Sequence, residues 1–166
     1  FTRTTPRFLE PDTEDNLRQR FIMEGWTDYL PIILPTEQRV EAMLRGTSHA
    51  GDLFVNRMAP TAFREKWDYD VEKVAMPAVL GGARPECLPV VLGLCSSGFP
   101  ARTSPATSWA TISMINGPIR NEIGMNYGIG AMGPYNPANA TIGRAYCLLS
   151  MNAQGGSDPG VTYMGS

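Results

Sequence analysis

The sequence predicts an α+β fold, mostly helical, with a small sheet and a glycine-rich loop before the last helix. Three observations point there. Apolar residues recur at helical spacing in several windows, most opened by a capping residue and closed by glycine. One window, residues 109–115, alternates with period two, as a half-buried strand does. Residues 124–133 hold four glycines just ahead of the final helical window. With 166 residues, 43% hydrophobic and 18% charged, the chain has enough apolar material for a core.

The elements follow in order. Residues 1–12 read as an extended arm, because Pro6 and Pro11 block helix. Residues 13–166 then form one α/β domain. A first helix spans 13–24, with Leu17, Phe21 and Ile22 on one face, acids at its start and Gly25 as its stop. The apolar run 29–35, set between prolines, reads as an edge segment. Thr36 caps a second helix with stripe Val40, Met43 and Leu44, closed by Gly46. Residues 47–69 read as loop. Asp70 caps a third helix, 71–80, in which Pro77 removes a backbone donor and predicts a kink. Pro85 opens a fourth helix reaching about Leu94. Residues 96–108 read as loop, 109–115 as the strand and 116–118 as a turn. Asn139 or Thr141 caps a last helix ending near Met151.

Charge narrows the function. The formal net charge is −2, with no cluster of Lys and Arg, so a nucleic-acid binder working by phosphate neutralisation is not expected. Nor is a membrane partner, because no stretch approaches the roughly 18 apolar residues of a span. No secretory h-region is visible, and the three cysteines (Cys87, Cys95 and Cys147) are an odd number, so reduced thiols in a cytoplasm are the expectation. No CxxC pair exists and His49 is distant, which speaks against a Cys/His zinc site. Of the 30 charged residues, 23 lie in residues 1–80, whereas 14 of the 17 glycines lie in 81–166. An exposed surface so poor in charge would be sticky. The second half is therefore read as covered by a second chain or by missing sequence, in an oligomer. Phe1 is not a start methionine, and strand-like residues 161–164 run almost to Ser166, so a trimmed chain, incomplete at its C-terminus, is expected.

Chemistry is best placed at residues 116–144. Glycines such as Gly128 let backbone approach a ligand closely. The following helix start offers free N–H groups, with Arg144 one turn in and Arg120 upstream. Together these suit a carboxylate, a phosphate or an oxyanion. The spacing is neither a Walker A loop nor a dinucleotide fingerprint. The alternative is a loop that needs its glycines for tight packing, with Arg144 in a structural ion pair. Glu72 and Lys73 open the third helix. Lys73, among Val71, Val74 and Ala75, reads as a base with lowered pKa, or else as a surface cation beside a capping acid. Cys87, near a helix start, is better placed for a thiolate than Cys95 at a helix end.

Several stretches resemble a known bacterial domain. They are residues 24–31 (Glu-Gly-Trp-Thr-Asp-Tyr-Leu-Pro), residues 35–44 and residues 71–82 (Val-Glu-Lys-Val-Ala-Met-Pro-Ala-Val-Leu-Gly-Gly). Residues 84–92, residues 115–126 (Ile-Asn-Gly-Pro-Ile-Arg-Asn-Glu-Ile-Gly-Met-Asn) and residues 139–145 (Asn-Ala-Thr-Ile-Gly-Arg-Ala) complete the pattern. The domain accompanies proteins named for a UGSC motif, a selenocysteine or cysteine followed by Gly-Ser-Cys. The resemblance covers most of residues 24–164. It implies thiol or selenol chemistry carried by a separate Rossmann-like segment, which this chain lacks; residues 95–98, Cys-Ser-Ser-Gly, are not that motif. The polar positions it carries over are Glu72, Lys73, Asn116, Arg120, Asn126, Asn139, Thr141 and Arg144. It also implies a chain that runs on past residue 166.

Two functions follow as expectations. In the first, the chain is an enzyme or catalytic subunit acting on a small polar or anionic metabolite, with lyase, hydrolase or thiol-linked redox chemistry. Arg120, Arg144, Asn116, Asn126, Gly128, Asn139 and Thr141 would hold substrate, while Lys73 or Glu72 moves protons. No cofactor is identified and no metal is expected. In the second, it is a non-catalytic partner subunit that completes another chain's active site or binds a metabolite.

Overall fold

The computed structural model describes residues 9–57, 68–98 and 112–153, and the fold is mostly helical with one small sheet. Helix α1 spans Glu14–Met23, α2 Glu37–Leu44 and α3 Val71–Leu80; α4 spans Leu88–Ser96, α5 Ile119–Glu122 and α6 Pro137–Ala153. Strands β1 (Phe54–Arg57) and β2 (Asp68–Asp70) pair antiparallel, with an irregularity between Phe54 and Asn56. No helix among the described residues is long and apolar enough to cross a membrane.

Capping chemistry fixes the helix boundaries. The side chains of Thr13, Thr36 and Asp70 accept the N–H groups of Asn16, Arg39 and Lys73, each three residues on. Helices α1 and α3 end alike. Gly25 and Gly82 take φ values of 69° and 80°, and the Trp26 and Ala83 N–H groups then reach back to the carbonyls of Phe21 and Ala78. The Phe21 and Trp26 rings meet edge to face with centroids 5.2 Å apart, sealing the first of these turns.

Helix α3 is the centre. It carries no acid or base on its inner face, and Val74, Ala75 and Ala78 are fully buried. It packs against α2, α4 and α6. Leu88, Val91 and Cys95 of α4, Ile142, Ala145 and Leu149 of α6, and Val40 and Met43 of α2 close on it. Each such aliphatic burial is worth about 1.5–3 kcal/mol. Small residues let α3 and α6 approach closely: a Cβ at Gly81 would lie 3.3 Å from the Ala145 backbone nitrogen. A second cluster joins Ile32, Leu34, Leu80, Leu148 and Met151, against which Leu17 and Phe21 of α1 lie.

Several expectations are corrected. Residues 112–115 form no strand: they are unpaired, with Ile112 and Met114 exposed, so alternation alone had no partner to act on. Residues 109–111 lie outside the described residues, as do 1–8 of the arm, 161–164 and most of the 96–108 loop. The sheet instead lies at 54–57 and 68–70, within the 47–69 stretch read as loop except for Asp70, which both ends β2 and caps α3 as expected. Its short strands are held by the Arg57–Asp68 ion pair and by the Tyr69 hydroxyl, which donates to the Cys95 carbonyl at 2.8 Å. Pro85–Cys87 is a 3-10 turn ahead of α4, because prolines at 85 and 89 both favour helix starts. The last helix begins at Pro137, not at Asn139 or Thr141. The Asn136 side chain accepts the Asn139 N–H at 3.1 Å and Pro137 stands at the first helical position. Helix α3 runs through Pro77 without ending there.

One close approach gives a direct check. A Cβ at Gly46, where α2 ends, would collide with the Pro85 carbonyl oxygen, and both are backbone and cannot rotate away. Gly46→Ala is expected to cost about 2 kcal/mol or more, read as a lower urea midpoint. An unchanged midpoint would mean that α2 and the 85–87 turn do not touch.

Candidate functional site

The glycine-rich loop is built on α5 and α6. Helix α5 ends with the Met125 N–H donating to the Arg120 carbonyl at 2.8 Å, after Gly124 at φ 69°. The Arg84 guanidinium reaches across to donate to the Ile123 carbonyl at 2.7 Å, anchoring this turn to the start of α4.

Three asparagines then tie the loop down. The Asn139 Oδ1 accepts the Asn126 N–H at 3.0 Å, and its Nδ2 donates to the carbonyls of Asn126 at 2.8 Å and Ala131 at 3.0 Å. The Asn126 side chain accepts the Gly128 N–H at 2.9 Å and donates to the Ile129 carbonyl at 3.0 Å. Asn136 caps α6 and donates to the Gly124 carbonyl at 2.9 Å. The Ala131 and Gly133 N–H groups bond to the carbonyls of Gly128 and Gly130. Amides read in the sequence as open to a ligand therefore serve the chain itself at 124, 125, 126, 128, 131 and 133. The glycines serve packing too. A Cβ at Gly133 would lie 2.6 Å from Cε2 of the Tyr135 ring, which lies over the loop.

With the backbone turned inward, the apolar side chains stand out. Ile129 is 104% exposed, Tyr135 81%, Met132 80% and Tyr127 67%. The Arg120 guanidinium lies 4.3 Å from the centre of the Tyr127 ring, a cation–π contact that steadies both.

The other candidates lie apart from the loop or are occupied. Arg144 makes a two-pronged pair with Asp28, Nε to Oδ2 and Nη2 to Oδ1, both at 2.8 Å, with the side chains 21% and 22% exposed. This joins the 24–31 stretch to the 139–145 stretch. Asp28 sits in a tight turn where Tyr29 takes φ 63° and the buried Thr27 hydroxyl accepts the Tyr29 N–H at 3.1 Å. Thr141 donates its hydroxyl to the Pro137 carbonyl at 2.7 Å, one turn back. Asn116 is exposed in the segment before the Gly117 turn.

Lys73 pairs with Asp70 at 2.8 Å, and the Glu72 N–H donates to the Gly51 carbonyl at 2.8 Å. Both residues are in the first turn of α3, whereas the Thr141 methyl group faces Gly82 just beyond its last turn. The nine-residue rise between Lys73 and Gly82 is about 13 Å. The loop and the proposed proton carriers thus sit at opposite ends of α3.

The thiols are equally withdrawn. Burial pushes Cys87 above its usual pKa despite nearby Arg84, raises Cys95 further, and pushes Cys147 up to about 11. Cys87 is therefore a core thiol, not an activated one. Among the described residues no three His, Cys, Asp or Glu side chains converge as a metal site would require. Sequence reasoning missed Asn136, whose signal was a capping residue before a proline, and Asp28, which carried none.

Burial raises the Asp28 pKa, but the Arg144 hydrogen bonds and charge outweigh it and hold the carboxyl below its ordinary value. The pair's contribution is therefore complete above the ordinary carboxylate range and lost as pH falls through the depressed value. Arg144→Ala is expected to lower stability by about 1–3 kcal/mol at neutral pH. Asp12 and Asp68 titrate in the same direction. The check is therefore the difference between wild type and Asp28→Asn in urea midpoints, expected to shrink from about pH 6 to pH 3. Asn139→Ala should leave circular dichroism unchanged yet open residues 126–133 to protease, and an equally resistant loop would contradict the asparagine knot. Comparison with protein-family models, with curated proteins and with solved structures finds no match for this chain, so the reading of the site rests on its geometry.

Proposed function

We propose that this chain is a non-catalytic subunit of a larger assembly, in which it docks through residues 124–136 onto a second polypeptide. One observation carries the reading. A loop tied to its own helix by three asparagines holds four large apolar side chains in water. Rigid aromatic, Met and Arg side chains are what interfaces use as anchors. Pre-organisation lowers the ordering cost of association. Left uncovered, such a patch is a liability for a free monomer.

The enzyme reading ranks second. It requires Arg144, which Asp28 already holds, and proton carriers that stand at the far end of α3. A reducing cytoplasm is the compartment proposed for the chain, on the odd number of its cysteines.

The test uses the chain in its native cell. In gentle extracts it is expected to migrate well above its own 18.1 kDa. Ile129→Asp combined with Met132→Asp should return it to the mass of the free chain, with stability within about 0.5 kcal/mol of wild type because both positions are exposed. Wild type migrating as a free chain, or an unaffected variant, would contradict the proposal.

A further inference from the structure

We infer that the second polypeptide is another copy of this chain, meeting the first across a two-fold axis that passes near Ile129. The inference rests on the reading of the loop as a docking surface, and it goes further by naming what docks.

Three observations favour a like partner. The first is charge. Residues 112–136 carry one cation and one anion, Arg120 and Glu122. An identical surface therefore brings no net repulsion, whereas recognition of an unlike charged partner would need a surface of one sign. The chain as a whole carries only −2, so two copies repel weakly at long range.

The second is area. Tyr127, Ile129, Met132 and Tyr135, at their stated exposures, leave on the order of 600 Å² of side chain in water. A standard interface takes about 800 Å² from each partner, and exposed Ile112 and Met114 lie on the segment leading into α5. The apolar area available from one copy thus approaches half of a stable dimer contact.

The third is shape. Ile129 is the most exposed large apolar residue of the loop, between two backbone segments fixed by the Asn126 and Asn139 side chains. A self-complementary contact places the same patch against itself, so a protruding residue meets its own copy at the axis, with the two tyrosines around it. The loop needs little ordering to do this, because its hydrogen bonds are already made.

The test is sedimentation of the purified full chain, together with a cysteine probe. Across about 1–100 μM, wild type is expected to shift towards twice 18.1 kDa, and Ile129→Asp to remain at the single-chain mass. Ile129→Cys under mild oxidation is expected to form an intermolecular disulfide at least about tenfold faster than Met23→Cys, an exposed position on α1. The native Cys87 and Cys95 are buried, and the half-buried Cys147 is changed to Ser in both probe variants so that it does not compete. A purified chain that stays single at 100 μM, with Ile129→Cys no faster than Met23→Cys, overturns the like-partner inference. If native extracts then still show a loop-dependent larger species, the docking reading stands with an unlike partner. If they do not, both fall.

Discussion

Asn139 directs the hydrogen bonds of its side chain into its own chain, and the rest of the account depends on that. Its amide accepts from Asn126 and donates to two loop carbonyls, so a glycine-rich segment that would otherwise sample many shapes is held in one. Backbone groups satisfied inside the loop leave fewer to offer a ligand. On the same loop Tyr127, Ile129, Met132 and Tyr135 stand outward in water. A polar knot thus carries an apolar surface.

The helical frame exists to hold that knot still. The small residues of α3 let α6 approach closely, and the position of α6 fixes Asn136 and Asn139. At the other face of α6 the Arg144–Asp28 pair pins the 25–31 turn, where the buried Thr27 and the positive φ of Tyr29 form a compact corner. Arg84 ties α5 to the start of α4 through the Ile123 carbonyl. These three attachments leave the loop base little freedom, which is what a pre-formed contact surface requires.

The helices were legible in the sequence where capping and periodicity agreed, as at Thr36 with Val40 and Met43, or Asp70 with Val74 and Ala78. The sheet was not. Its strands are four and three residues long, and strand pairing depends on a partner that local pattern does not name. Alternation at 112–115 misled for the same reason. At the site, glycine content and Arg144 were visible, but their role was decided by residues distant in sequence. Asp28 lies 116 positions from Arg144, and Asn139 reaches back 13 to Asn126. Exposure of Ile129 and Met132 could not be read, since the same residues serve equally well as core.

Amide hydrogen exchange of the wild-type loop, resolved residue by residue, tests the central claim most directly. The N–H groups of Asn126, Gly128, Ala131 and Gly133 should exchange slowly although the side chains of Ile129 and Met132 beside them stand out in water. Exchange of all four at the rate of an unstructured chain would mean that no asparagine knot exists, and that the apolar side chains are not held out as a surface.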